Sequence, residues 1–340
     1  MTTHALPRAF APAPLHARFR ARPEDFEVDE TLGFDPDGHG EHLFLRVRKR
    51  GANTAWVAAQ LARWAGIDER GVGYAGLKDR HAVTTQTFSL HLPGREAPAA
   101  WPQSDELDIL EASRHGRKLP RGALRGNRFR IVLREVRGER EAIEAQLGRI
   151  REHGFPNYFG EQRFGHAGGN LDAARRLFAG RRMDRNKRAI ALSAARAELF
   201  NSVLAVRIGE NCWNRGLDGE VWMLDGSRSV FGPQTLDAEL TERLQRGDIH
   251  PSGPLWGRGT LRSEAAAQAL ETRALAGFED IQRGLESAGL NQERRALRVI
   301  PTDMDWRWPQ PETLELDFFL PAGSYATALL RELGEVEEAD

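Results

Sequence analysis

The chain has 340 residues, of which 40% are hydrophobic and 29% are charged, a composition that supports a sizeable core and excludes a disordered or fibrous protein. Its 48 Lys and Arg and 49 Asp and Glu give a formal net charge of −1, which argues against a protein that coats nucleic acid nonspecifically. A single cysteine, Cys212, excludes an internal disulfide and a multi-cysteine metal site. Because no apolar run reaches the roughly 18 residues of a membrane span and no apolar stretch lies near the N-terminus, we expect a cytoplasmic protein.

The first 140 residues are predicted to form a sheet with one helix. Asn53 is placed to cap a helix over 54–66. The strand candidates, several of which alternate apolar and polar residues, cover 23–32, 41–50, 86–92, 106–115 and 127–136, with a short one at the start of VGYAGLKDR. This mixture indicates an α+β domain.

The middle of the chain is predicted to be helix-rich, and a strand returns near its end. Helices are predicted over 140–154, within 171–210 and over 263–277, beside a short strand in EVWML and turns in FGPQT and HPSGPLWGRGT. After about 298, ETLELDFFLPAG reads as a strand and SYATALLREL as a short helix. The pattern therefore predicts a sheet domain that is completed by a C-terminal strand, with a second domain inserted between its parts.

Two segments are strongly basic although the whole chain is neutral. Residues 112–138 hold nine Lys and Arg against the single acid Glu135, and residues 175–196 hold eight against the single acid Asp184. Arginine offers forked donors to phosphate oxygens, so such runs suit contact with nucleic acid. On composition alone, a pair of solvated charged faces is the alternative.

The motif that can carry chemistry is GLKDRHAVTTQ, over 76–86. It is not a nucleotide-phosphate loop, because Leu77 separates the required Gly and Lys and Asp79 follows where a Ser or Thr belongs. Lys78 and Arg80 favour an ionised Asp79, which can act as a metal ligand, a general base or a nucleophile. No second carboxylate lies near in sequence, so a metal cage or an acid pair has no local support. A loop aspartate that merely pairs with neighbouring cations is the alternative.

Several motifs together carry a family resemblance. Gly76, Lys78, Asp79, Ala82, Thr84 and Gln86 form the pattern GxKDxxAxTxQ. Further blocks are RPEDF (22–26), GNRF (126–129), PNYFGEQRFG (156–165), RNKR (185–188), LSAAR (192–196) and LPAGSYAT (320–327). In this order they resemble the signatures of the TruD-type tRNA pseudouridine synthases, with Tyr325 standing where the family has Phe.

The resemblance implies both a fold and a reaction. The expected fold is α+β, with a pseudouridine-synthase-type mixed or antiparallel sheet in a catalytic domain of residues 1–153 and 300–340. A helix-rich TRUD domain of residues 154–299 is inserted in it. The expected reaction is the isomerisation of a specific uridine in tRNA, at position thirteen in the family, to pseudouridine. The family needs no cofactor and no metal.

The resemblance also implies roles for individual residues. Asp79 is the catalytic carboxylate, and attack on C1′ and removal of a sugar proton both remain open to it. The expected substrate-binding residues are Phe26, Asn127, Phe129 (which stacks on the flipped base) and Tyr325, and the supporting residues are Lys78, Gln86 and Arg20. Phe26 and Phe129 lie in alternating strands, so core packing is the alternative for both. The block PNYFGEQRFG fits a hinge between domains as well as direct RNA contact.

The expected partner is tRNA, and we expect no membrane contact, no protein partner and a monomer. The basic segments then supply the phosphate contacts, which we assign to Arg114, Arg117, Lys118, Arg121, Arg185, Lys187 and Arg188. One competing hypothesis is a noncatalytic RNA-binding protein on the same scaffold. Another is an aspartate-dependent hydrolase of a small substrate, which would leave both basic segments without a role.

Overall fold

The computed structural model describes residues 6–98, 100, 104 and 106–338. Within them the strands are β1 (Leu15–Phe19), β2 (Phe26–Leu32), β3 (His42–Arg50), β4 (Val72–Tyr74), β5 (Val83–His91), β6 (Leu107–His115), β7 (Leu124–Arg137), β8 (Phe155–Pro156), β9 (Glu220–Leu224), β10 (Val230–Gln234), β11 (Ile249–Leu255), β12 (Glu293–Ala296), β13 (Arg298–Val299), β14 (Thr302–Gln310), β15 (Thr313–Pro321) and β16 (Gly334–Glu338). The α-helices are α1 (Thr54–Ala65), α2 (Arg140–His153), α3 (Gly169–Phe178), α4 (Arg185–Gly209), α5 (Ala238–Arg246), α6 (Ala265–Ala274), α7 (Glu279–Ser287) and α8 (Ala326–Leu333).

The chain divides into two compact units. The sheet unit comprises the described parts of 14–143, 301–323 and 334–340. The helical unit comprises the described parts of 1–13, 144–300 and 324–333. The sheet unit is therefore assembled from three separate segments of the chain.

A ten-stranded mixed sheet forms the frame of the sheet unit. Seven strands follow the order β14-β15-β7-β2-β5-β3-β6, while β1 pairs with β7 and β16, and β4 pairs with β5. The pairs β2–β5 and β1–β16 are parallel, and the other pairs are antiparallel. This arrangement confirms the predicted α+β class with a mixed sheet.

Strand β7 connects the parts of this sheet. Its 14 residues pair with β15, β2 and β1, so it joins the segment 301–323 to the segment 14–143, and β16 of the third segment pairs with β1. Ile131 and Leu133 are fully buried on it. The register places Asn127 beside Glu30 of β2 on one side and Leu320 of β15 on the other. The predicted strand over 127–136 is therefore the central part of a longer element.

Helix α1 packs on the sheet as predicted. Asn53 is its N-cap and accepts a hydrogen bond at Oδ1 from the backbone N–H of Trp56, at 2.8 Å. Val57 and Leu61 on its buried face belong to the same apolar cluster as Leu45 of β3. The cap and the apolar face together fix the position of the helix N-terminus.

The helical unit is built around α4. The helix is in contact with α3, α6 and α7, and its Leu199 and Val203 share a core with Leu270 and Leu285. A four-stranded sheet of order β10-β9-β11-β12 completes the unit. Among the described residues, α4 is the helix that is long and apolar enough to cross a membrane, but 56% of its apolar window is buried in the unit, as in a core helix.

The structure corrects the predicted turns in the helical unit. FGPQT and HPSGPLWGRGT overlap most of β10 and β11. The prolines in these segments led to the prediction of turns, because proline cannot donate to a strand ladder and usually signals a turn. Helix α5 and the outlying strands β1, β14 and β16 were also not predicted from the pattern.

Candidate active site

The loop of residues 75–82 between β4 and β5 carries Asp79 and is fastened on both sides. The hydroxyl of Thr54, the first residue of α1, accepts a hydrogen bond from the backbone N–H of Lys78 at 2.9 Å. The same hydroxyl donates to Oε1 of Gln86 at 2.9 Å, and Nε2 of Gln86 donates to the carbonyl of Gly76 at 3.3 Å. Gln86 is buried, and its hydrogen bonds give it a structural role in holding the loop.

Both carboxylate oxygens of Asp79 have a donor. Nη2 of Arg20 lies 2.7 Å from Oδ2, and the backbone N–H of His81 donates to Oδ1 at 2.9 Å. The side chain remains 28% exposed. A carboxylate that is oriented from two sides and still open to solvent can act on a bound molecule.

Arg20 lies just beyond β1 with a left-handed backbone (φ 59°), which is uncommon for a residue other than glycine. Its guanidinium carbon is 4.7 Å from the ring centre of Phe19 and 4.6 Å from that of Phe26. Its Nη1 binds Oε1 of Glu338 on β16 at 2.8 Å. The guanidinium is therefore fixed by two rings and a second carboxylate while it contacts Asp79.

Lys78 and Asn127 contact each other. Nζ of Lys78 lies 2.7 Å from Oε2 of Glu30 and donates to Oδ1 of Asn127 at 2.9 Å. Glu30 and Asn127 are neighbours in the β2–β7 ladder, so a single ammonium binds both strands. The ammonium of Lys78 therefore pairs with Glu30, and the cation in contact with Asp79 is Arg20.

Lys49 is a site residue that sequence reasoning missed. Its buried Nζ donates to the backbone carbonyls of Asp79 at 2.7 Å and of Ala52 at 2.6 Å. Burial lowers the pKa of this ammonium to about 8, against the opposing attraction of Asp79. The signal was a lysine in register with Leu45 and Val47 on the apolar face of β3.

The predicted aromatic residues of the sheet unit form a stack. The ring centre of Phe129 lies 6.1 Å from that of Phe26 and 5.5 Å from that of Phe318, with interplanar angles of 19° and 27°. Phe129 is 6% exposed and Phe26 is similarly buried. Both residues therefore contribute to the core next to Arg20, whatever contact they make with a substrate.

Several cations of the first basic segment, residues 112–138, contact other groups of the sheet unit. Arg114 donates to the carbonyl of Arg95 at 2.6 Å, and Lys118 donates to that of Arg70 at 2.6 Å. The guanidinium of Arg121 lies 3.7 Å from the ring centre of Tyr74. The side chains of Arg117, Lys118 and Arg121 are exposed.

The second basic segment lies at the start of α4 in the helical unit. Arg185, Lys187 and Arg188 are all exposed there. Lys187 is 3.6 Å from Asp184, and Arg188 donates to the carbonyl of Ala288 at 3.1 Å. A cavity of about 460 Å³ opens beside them, with walls that include the cations Arg176, Arg181, Arg182 and Lys187.

Tyr325 belongs to the helical unit, whereas the other predicted substrate-binding residues belong to the sheet unit. Its hydroxyl accepts a hydrogen bond from Nη2 of Arg163 at 2.5 Å, and its ring lies 6.2 Å from that of Phe159. The oxygen that distinguishes tyrosine from phenylalanine therefore has a partner in the block PNYFGEQRFG. Among the described residues, no group of three or more His, Cys, Asp or Glu is placed to hold a metal ion.

Comparison with known proteins gives concordant matches over nearly the whole chain. The family model described as tRNA pseudouridine synthase D (TruD) matches residues 10–173 and 172–333. The tRNA pseudouridine synthase D of Xanthomonas euvesicatoria is 54% identical over 355 residues, which cover 99% of this chain and 96% of the relative. That of Methylococcus capsulatus is 51% identical, with 98% and 95% covered. A crystal structure of the putative tRNA pseudouridine synthase D of Methanosarcina mazei, 21% identical, superposes with a TM-score of 0.73 over 96% of this chain and 95% of that one, so the two share a fold.

Proposed function

Because the chain belongs to the tRNA pseudouridine synthase D (TruD) family and is therefore a tRNA pseudouridine synthase, we propose that Asp79 is the carboxylate on which its reaction depends. The observation that carries this proposal is the fixed but solvent-accessible Asp79 side chain, held by Arg20 and the N–H of His81. The target within tRNA is the uridine at position thirteen, as the family resemblance implies.

The isomerisation makes specific demands on that carboxylate. The bond between C1′ and N1 breaks, the base turns, a bond forms between C1′ and C5, and the proton on C5 is replaced by one on N1. An ionised Asp79 serves either by attack on C1′ or by removal of the sugar proton on C2′. In both routes the carboxylate must face the sugar, and the contact with Arg20 supports such a fixed orientation.

The base has to leave the RNA stack before this chemistry can take place. Asn127 is the proposed polar contact with the flipped uracil. Since its Oδ1 accepts from Lys78, its Nδ2 is the atom that can donate to a uracil carbonyl. Lys78 then acts as a positioning residue for Asn127 as well as a support for the loop.

Phe129 is the proposed aromatic contact of the flipped base, and Phe26 and Tyr325 are the other aromatic residues proposed to bind the substrate. Support for Phe129 comes from its place two residues after Asn127 on β7, which puts both side chains on one face of the strand. With 6% of Phe129 exposed, the base contacts the accessible edge of the Phe26–Phe129–Phe318 stack rather than an open ring face.

The basic residues Arg114, Arg117, Lys118, Arg121, Arg185, Lys187 and Arg188 are proposed to contact tRNA phosphates. The charge of all seven and the exposure of all but the half-buried Arg114 support this, since recognition of folded RNA relies on backbone contacts and shape. Because each unit of the chain carries one of these basic segments, both units take part in binding.

The decisive experiment uses tRNA from a strain that lacks its own enzyme. Expression of the wild-type chain should restore pseudouridine at position thirteen, and Asp79→Asn should restore none while it still binds tRNA. Restoration by both would contradict the assignment of Asp79. Tight binding without any pseudouridine from the wild type would instead indicate a noncatalytic RNA-binding protein.

A further inference from the structure

An exposed apolar side chain lies in the same loop as the proposed catalytic carboxylate. Leu77, two residues before Asp79, is 74% exposed, more than any other large hydrophobic residue in the described part of the chain. Single exposed leucines are common on protein surfaces. The position of this one, inside the loop that carries the reactive group, calls for an explanation.

The exposure of Leu77 does not come from a loose loop. The residue before it, Gly76, accepts a hydrogen bond at its carbonyl from Gln86, and the residue after it, Lys78, donates its backbone N–H to Thr54. The ammonium of Lys78 is also fixed by its contacts in the sheet. The backbone is thus held on both sides of Leu77 while its side chain extends into solvent.

Such an arrangement presents an apolar group to a binding partner at a defined place. The uridine substrate must rotate out of its stack to reach a carboxylate, and this leaves a gap between the neighbouring bases. Apolar side chains of this size, leucine among them, insert between base steps in other nucleic-acid complexes. Burial of the Leu77 side chain there would remove its apolar surface from water and would offset part of the lost stacking.

We propose that Leu77 enters the space that the target uridine vacates and keeps the nucleotide rotated out toward Asp79. This inference rests on the proposed function, because it needs a target nucleotide at Asp79. Leu77 would be a substrate-contacting residue that acts on extrusion of the base and not on the bonds of the uridine.

Extrusion can be measured without catalysis. In the Asp79→Asn background, a tRNA with 2-aminopurine next to the target uridine should gain fluorescence several-fold on binding. Adding Leu77→Ala should reduce that gain at least threefold, Leu77→Met should retain most of it, and Leu110→Ala, a change at another exposed leucine (48%) of the same unit, should leave it unchanged.

Activity gives the second measurement. With Asp79 intact, Leu77→Ala should lower kcat/KM about tenfold on native tRNA and much less on a tRNA whose target uridine is mismatched, since that base leaves its stack easily. Equal fluorescence gains and equal rates for Leu77→Ala and wild type would overturn the role of Leu77. Full activity of Asp79→Asn would instead overturn the proposed function, and the fluorescence comparison would still report on Leu77.

Discussion

Arg20 holds two carboxylates from distant parts of the chain, Asp79 through Nη2 and Glu338 through Nη1. The forked, planar guanidinium makes this possible while it lies against the rings of Phe19 and Phe26. A lysine has a single charged nitrogen on a flexible stem and cannot reproduce the fork or the ring contacts. The orientation of Asp79 therefore depends on arginine chemistry and not only on positive charge.

For Arg20→Lys we expect a fall in kcat of roughly 10–100-fold, because a carboxylate displaced by about an ångström no longer faces the sugar well. The tRNA affinity should change little. Single-turnover rates at saturating enzyme measure the chemical step directly. The comparison variant is Glu338→Gln, which keeps the Arg20–Asp79 pair but removes the second carboxylate, so its rate should fall much less than that of Arg20→Lys. Equal rates for Arg20→Lys and wild type would show that Asp79 needs no arginine.

The buried ammonium of Lys49 makes stability depend on pH in a predictable direction. Its pKa in the fold is about 8, below the ordinary 10.5, because burial penalises the charge. Below pH 8 the ammonium is charged in both the folded and the unfolded state, so the free energy of unfolding is lowered by the full penalty of burying the charge. Between pH 8 and 10.5 the unfolded chain binds more protons, so the cost fades as pH rises.

Compared with Lys49→Met, the wild type should gain up to about 3 kcal/mol of unfolding free energy between pH 8 and 10.5. Chemical denaturation of both proteins at several pH values measures the difference, and common titrations cancel in it. The neutral amine still has two hydrogens for the carbonyls of Asp79 and Ala52, so the loop should keep its place. A difference that stays constant with pH would contradict the assigned cost of burial.

At the scale of elements, the N-terminus of α1 and the start of β5 together hold the loop of Asp79. Thr54 and Gln86 supply the contacts, and the cap at Asn53 stabilises the first turn of the helix. The motif GxKDxxAxTxQ thus combines one reactive residue, Asp79, with a structural glutamine seven residues later. The spacing places Gln86 inside β5, from where its side chain reaches back to the carbonyl of Gly76 in the loop.

Replacing Thr54 by Val should separate the effect of the loop contacts on catalysis from the effect of helix stability. The change leaves the N–H of Lys78 and Oε1 of Gln86 without their partner, which costs about 1–3 kcal/mol of stability. We expect kcat to fall roughly tenfold as the loop loosens. Asn53→Ala, at the adjacent position, should cost about 1 kcal/mol through the lost cap but leave kcat near the wild-type value. Thermal unfolding and single-turnover kinetics of both variants test this, and equal kinetic effects would argue against a specific anchor at Thr54.

Elements with one buried face could be predicted from the sequence, and strands that depend on distant partners could not. β3, α1 and β15 have clear periodicity because each has one buried face, and the cap at Asn53 marked the start of the helix. Among the described strands, β14 pairs only with β15 at the edge of the sheet, and its polar residues carry little signal. β16 is acidic, and its strand conformation comes from pairing with β1, which a local pattern cannot reveal.

For the site, the sequence identified several residues but not the contacts that they make. The family motifs single out Asp79, Lys78 and Asn127, but not that Lys78 pairs with Glu30. That contact depends on the register of β2 and β7, a property of tertiary structure. Lys49 was missed for the same reason, because the loop it binds comes about thirty residues later in the chain.

At the scale of the whole molecule, a nearly neutral chain concentrates positive charge in two segments, one in each unit. Charge balance elsewhere limits nonspecific attraction to nucleic acid, while the segments retain strong local fields. A monomeric state and a cytoplasmic location stay predictions.

Charge reversal tests the segment in the helical unit. The double variant Arg185→Glu with Arg188→Glu should bind tRNA more weakly, and its log-affinity should depend less steeply on log salt, by about 0.7–0.9 per lost phosphate contact. The reversal of two exposed arginines outside the segment, Arg228→Glu with Arg283→Glu, is the control for total charge. Circular dichroism should show both folds intact. Equal affinity of wild type and the first variant across the salt titration would remove this segment from the interface.

The ion pair between Arg20 and Glu338 has a consequence for biosynthesis. The two residues are separated by 318 positions, and the segments 144–300 and 324–333 of the helical unit are encoded between them. A ribosome that adds ~5–20 residues per second needs on the order of 15–60 s to pass from one codon to the other. During that interval the emerging polypeptide already contains Asp79 but lacks the carboxylate that completes the Arg20 clamp. The nascent enzyme should therefore acquire full competence only once translation has delivered β16.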